Sequence, residues 1–69
     1  MKITLEVTET EAIYVHDALI DKAIALRTGR NEIAIKEEKF LRDPDVSERR
    51  KQHYLALRAV ASEISVHIR

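Results

Sequence analysis

Gly29 and Pro44 are the only two residues in this 69-residue chain that force a helix to stop. Glycine readily takes the left-handed backbone that ends helices, and proline lacks the amide that continues them. Between these points the chain is free to follow its hydrophobic period. They divide it into an N-terminal segment, a middle segment over 30–42 and a C-terminal segment.

The N-terminal segment opens with Ile3, Leu5 and Val7 alternating with Lys2, Thr4 and Glu6. Period two predicts a short strand with one buried face, which needs a partner strand for its backbone groups. Thr8 and Glu11 then have capping-box spacing, which predicts a helix from about 9 to 28, closed by Gly29. At about 100° per residue, Ala12, Ile13, Val15, Leu19, Ile20, Ala23, Ile24 and Leu26 cover half of that helix. Asp17, Asp21 and Tyr14 fall opposite.

A second helix is predicted to begin in Asp43-Pro44-Asp45-Val46-Ser47, where Pro44 suits a first turn and Asp43, Asp45 or Ser47 can cap it. It runs to the C-terminus. Val46, Leu57, Val60, Ala61, Ile64 and Ile68 form its main apolar stripe, and Leu55, Ala59 and Val66 form a thinner one on the far side. A two-helix hairpin covers only the first stripe, so the second is assigned to an oligomer interface. The middle segment has two readings. Glu32-Ile33-Ala34-Ile35-Lys36 fits a strand, whereas Ile33, Glu37, Phe40 and Leu41 fit one face of a short helix, which is favoured slightly.

All but four of the hydrophobic residues are Ala, Val, Ile or Leu, so the core should be aliphatic. At 45% hydrophobic and 35% charged, the chain is too apolar for a disordered tail. Apolar runs of three or four residues fall far short of the roughly 20 needed to span a membrane. No signal-peptide pattern opens the sequence, and a cytoplasmic location is expected. With 8.0 kDa and no Cys, one domain without disulfides is expected, marginal alone and aided by self-association.

Catalytic signals are sparse. Ser47 reads as a cap, while Ser62 and Ser65 read as helix-surface residues without an activating base. A single Gly excludes phosphate-cradling glycine loops. His16, His53 and His67 lack the helical spacing of a zinc site, so no metal or cofactor is expected; His53 is expected beside Asp21. Charge says more. Residues 1–38 carry a net −3 and residues 39–69 a net +3. Arg49, Arg50 and Lys51 sit in the first turns of the second helix, against the preference of its dipole. With Arg27 and Arg30 across the turn, Arg49 and Arg50 are assigned to a surface for an anionic ligand or acidic partner.

The opening Lys2-Ile3-Thr4-Leu5-Glu6-Val7 with its capped helix and Gly29 resembles ribbon-helix-helix DNA-binding proteins. That resemblance implies a paired-strand dimer that reads DNA. It covers about thirty residues, and the chain departs from the pattern in its long first helix, in Asp43-Pro44 and in the placement of Glu6. Leu5-Glu6-Val7-Thr8-Glu9-Thr10-Glu11-Ala12 and Asp17-Ala18-Leu19 also resemble short bacteriophage accessory proteins with an N-terminal strand and a helical hairpin. This second resemblance implies a protein that blocks a host factor or sequesters an anionic nucleotide of host defence. The expected fold is mainly α (α+β): a short N-terminal strand and a two-helix antiparallel hairpin, assembled as a dimer or larger. The expected function is non-catalytic binding, as an inhibitor or adaptor on a host protein. A nucleotide sponge is the alternative, and DNA binding comes third.

Overall fold

The computed structural model describes residues 3–28 and 33–67. They form three helices, α1 (Glu9–Leu26), α2 (Glu37–Arg42) and α3 (Glu48–His67). The mainly α expectation stands, but two of its parts are corrected. Residues 3–7 form no strand, and the hairpin carries a third helix in its connection. Pairing explains the missing strand: no backbone hydrogen bond among the described residues involves 3–7. The one bridge among them joins Thr28 to Ala34, at the other end of α1. Without an edge to pair with, alternation alone does not hold a strand. Ile3 and Leu5 are about three-quarters exposed.

α1 begins where the capping box places it. Thr8 Oγ1 accepts from the Glu11 amide at 3.1 Å, and Glu11 Oε1 accepts from the Thr8 amide at 2.8 Å. These bonds hold the Glu11 carboxyl below its ordinary 4.5. The helix stops at Leu26, two residues before the predicted end. Thr28 intervenes, its hydroxyl donating to the Ile24 carbonyl at 2.8 Å and its amide to that of Ala25. Gly29 lies outside the described residues.

α3 begins at Glu48 with Ser47 as the cap, its hydroxyl accepting from the Arg50 amide at 3.2 Å. Pro44 belongs to a turn instead, in which the Val46 amide reaches the Asp43 carbonyl and Asp43 Oδ1 accepts from the Asp45 amide. Fixed φ suits the second position of such a turn as well as a first helical one.

α1 and α3 are antiparallel and pack along their length. Arg50, early in α3, bonds the last carbonyl of α1, while Ile64 and His67 share a hollow with Thr8 and Ala12. The molecule is a thin plate, 38 × 28 × 15 Å. Its radius of gyration is 13.6 Å, against about 11 Å for a compact domain of this length. Among the described residues only Ala23, Phe40, Tyr54 and Ala61 are buried, with Leu26, Ile35, Leu41, Val46 and Leu57 packed around the first three. The broad dry face predicted for α1 is therefore only partly covered. Ile13, Val15 and Ile24 stay about 40% exposed, and on α3 Val60 is half exposed. Ile68 lies outside the described residues.

Two outcomes follow. Phe40→Ala should remove about 3–5 kcal/mol, enough to unfold a domain this thin, measured as loss of a cooperative denaturant transition. The Glu11 carboxylate is favoured in the folded state, so its contribution is full above about pH 4.5 and is lost as pH falls through the lowered folded value. Fraying of α1 on acidification, followed by amide NMR, should be smaller in Glu11→Gln, and Thr8→Ala should cost about 1 kcal/mol.

Candidate functional site

The aromatic pair organises the end of the molecule where α1 finishes and α3 starts. Phe40 projects from the short α2, held at its start by the Phe40 amide bonding the Lys36 carbonyl. It meets Tyr54 of α3 at 5.2 Å between ring centroids, with planes 59° apart. That tilted geometry suits the opposed charges of ring face and ring edge. Tyr54 is 2% exposed, yet its hydroxyl donates to Glu37 Oε1 at 2.8 Å, which satisfies the one polar atom this ring takes inside. Burial pushes the Tyr54 phenol above its ordinary 10.0, and the bond to Glu37 adds to the rise.

Two guanidiniums close over this pair. Arg27 stacks on Tyr54 at 5.5 Å and Arg50 lies over Phe40 at 5.9 Å. Each also serves the main chain. Arg27 Nη1 donates to the Ile35 carbonyl at 3.0 Å, and the Ile35 amide returns a bond to the Arg27 carbonyl at 2.9 Å. Arg50 Nη2 donates to the Leu26 carbonyl at 2.6 Å. The last turn of α1 has no basic residue of its own. Arg50 therefore supplies from α3 the cation that the negative end of α1 favours. This accounts for a basic residue that looks misplaced on its own helix.

Around these groups is a cleft of about 360 Å³ lined by Leu26, Arg27, Thr28, Ile35, Phe40, Val46 and Arg50. Among the described residues the ion pair is Arg42–Glu38 at 3.3 Å, and His16 Nδ1 lies 3.4 Å from Asp17 Oδ1, so no described carboxylate neutralises Arg27 or Arg50. Arg27 Nε is buried with no hydrogen-bond partner among the described residues. A larger hollow of about 520 Å³ on the outer side of α2 is lined by Lys36, Glu38, Lys39, Arg42, Asp43 and Pro44. There cations and carboxylates alternate, and Arg42 is already paired.

The residues assigned from sequence are thus distributed unevenly. Arg27 and Arg50 come together at one cleft, Arg49 is exposed on the same turn of α3, and Arg30 lies outside the described residues. Leu55, Ala59 and Val66 are exposed on α3, Leu55 by 40% and Val66 by 63%. His16 contacts only its neighbour Asp17, and the expected contact of His53 with Asp21 is not among the described hydrogen bonds or ion pairs. No three of His, Cys, Asp and Glu cluster as metal ligands would among the described residues. No described helix is long and apolar enough to cross a membrane.

Sequence reasoning missed Tyr54 and Glu37. A signal was present, since Tyr54 lies three residues before Leu57 and seven before Ala61, on the buried stripe of α3. No protein-family model, curated protein or solved structure matches this chain.

The raised Tyr54 phenol makes alkaline stability a direct readout. Its contribution is complete below about pH 10 and falls as the pH rises toward the higher folded value. Tyr54→Phe should lose about 1 kcal/mol at neutral pH through the missing bond to Glu37. It should also flatten the stability decline above pH 10, as measured by denaturant titration at several pH values.

Proposed function

We propose that this chain is a small non-catalytic binding protein, an inhibitor or adaptor that acts by occupying a partner protein. Its contact surface is the cationic end formed by Arg27, Arg49 and Arg50. One observation carries the reading: two guanidiniums border an open cleft with no described carboxylate paired to them. An acidic side chain of a partner would find there the bidentate donors that arginine offers and a partly apolar floor that strengthens such bonds. The ribbon-helix-helix reading is not carried further, because residues 3–7 do not form the strand it needs.

A nucleotide sponge is the second reading. It is favoured by two guanidiniums at one cleft and by the buried Arg27 Nε, which has no hydrogen-bond partner among the described residues. The readings separate on what co-purifies. Native mass spectrometry of protein isolated from its host should show a discrete complex with one protein, whereas a sponge releases a nucleotide on denaturation.

Arg50 is a poor mutational probe, since Arg50→Glu also removes the bond to Leu26 and places a carboxylate against the carbonyl end of α1. Arg49→Glu is the clean variant. It should weaken partner binding at least tenfold while circular dichroism stays unchanged, and undiminished binding would assign Arg49 to solvent alone.

A further inference from the structure

The outer face of α3 is built to meet itself. Gln52, Leu55, Ala59, Ser62 and Val66 follow one another at alternating intervals of three and four residues, and all five are exposed. That spacing is the seam of a coiled coil, in which alternate intervals of three and four keep one stripe facing a partner helix. The buried side of α3, carrying Tyr54 and Ala61, points the other way along the helix wheel. Ile64 and His67, near the N-terminal segment, flank neither edge of this seam.

Surface area also indicates a missing partner. The chain exposes 6032 Å², about 1,500 Å² more than the roughly 4,500 Å² of a compact monomer of its mass. A standard interface takes about 800 Å² from each partner. One interface on a plate 15 Å thick fits within that excess.

Charge identifies the occupant. Arg58 flanks the seam on one side and Glu63, five residues later, flanks it on the other; both are exposed, and neither has an ion-pair partner among the described residues. In a parallel pair of identical helices, the residue before one seam position lies beside the residue five further along the partner. Arg58 then faces Glu63 of the second copy, and two-fold symmetry makes the same contact again. An antiparallel pair that sets Ala59 against Ser62 places Arg58 opposite Ser65 and Glu63 opposite Ala56, without an ion pair in that register. We infer that α3 forms a parallel two-fold dimer with a second copy of this chain through Gln52, Leu55, Ala59, Ser62 and Val66, with reciprocal Arg58–Glu63 ion pairs.

Small residues at the centre, Ala59 and Ser62, let the two backbones approach, and Gln52, whose side-chain amide donates to Glu48 Oε1 at 3.1 Å, stands at the N-terminal end of the seam. This inference is independent of the cationic-end reading, because it uses neither Arg27 nor Arg49 nor Arg50.

The experiment combines charge exchange with cross-linking in the full chain. Sedimentation equilibrium should give a dimer at micromolar concentration for the native sequence. Arg58→Glu and Glu63→Arg should each weaken dimerisation about tenfold, since each turns two attractions into two repulsions. The double exchange should return it to the native value with the helical circular dichroism unchanged. The chain has no Cys, so Ser62→Cys offers one thiol, which in the parallel dimer meets its own copy and closes a disulfide under mild oxidation. A native monomer at all concentrations, single variants that dimerise like the native chain, or no rescue in the double exchange would overturn the proposal. So would a Ser62→Cys protein that cross-links only when mixed with Ala59→Cys, the signature of antiparallel helices.

Discussion

The contact of Phe40 with Tyr54 is the constraint on which the rest of the molecule depends. It is the one place where all three helices are tied together. α2 brings Phe40, α3 brings Tyr54, and the end of α1 arrives through Arg27 and through the Leu26 carbonyl that Arg50 holds. An aromatic pair in tilted contact gives about 0.5–1.5 kcal/mol beyond the area it buries, and the guanidiniums over its faces add cation–π attraction. Among the described residues the buried cluster is Ala23, Phe40 and Tyr54, and no other large side chain in it takes its place.

That core is small because two helices and one turn of a third make only one layer. Most domains bury the apolar stripe of each helix against a second layer. Here α1 and α3 bury one side against each other and leave Ile13, Ile24, Leu55 and Val66 facing outward. The exposed apolar area is thus a consequence of chain length, and it gives the protein surface for association.

Charge follows the same geometry. Where α3 starts beside the end of α1, a guanidinium of one helix meets a carbonyl of the other. Seen along α3 alone, Arg50 opposes its own helix dipole, but across the interface it stands at the carbonyl end of α1, where a cation is favoured. Part of the basic cluster is thereby committed to holding the fold. Arg49 remains outward, so the same turn of helix serves both structure and surface.

The start of α1 was legible in the sequence, because a capping box is local and spans three residues, whereas Ser47 was one of three cap candidates for α3 and residues 37–42 were open between a short helix and a strand. Gly29 and Pro44 marked the connections, although Thr28 closed α1 earlier and Pro44 served a turn. The strand predicted over residues 2–7 was not decided by its alternation, since strand pairing depends on a distant edge that this chain does not provide among its described residues. The importance of Tyr54 was equally hidden. Its place on the helix wheel was readable, but its burial requires Phe40 and Glu37 to come from another element and satisfy both its ring and its hydroxyl. Local backbone chemistry, written in consecutive residues, placed the start of α1. Tertiary structure alone decided which arginines became structural, because the Leu26 and Ile35 carbonyls and the aromatic faces they use exist as neighbours only after the helices pack.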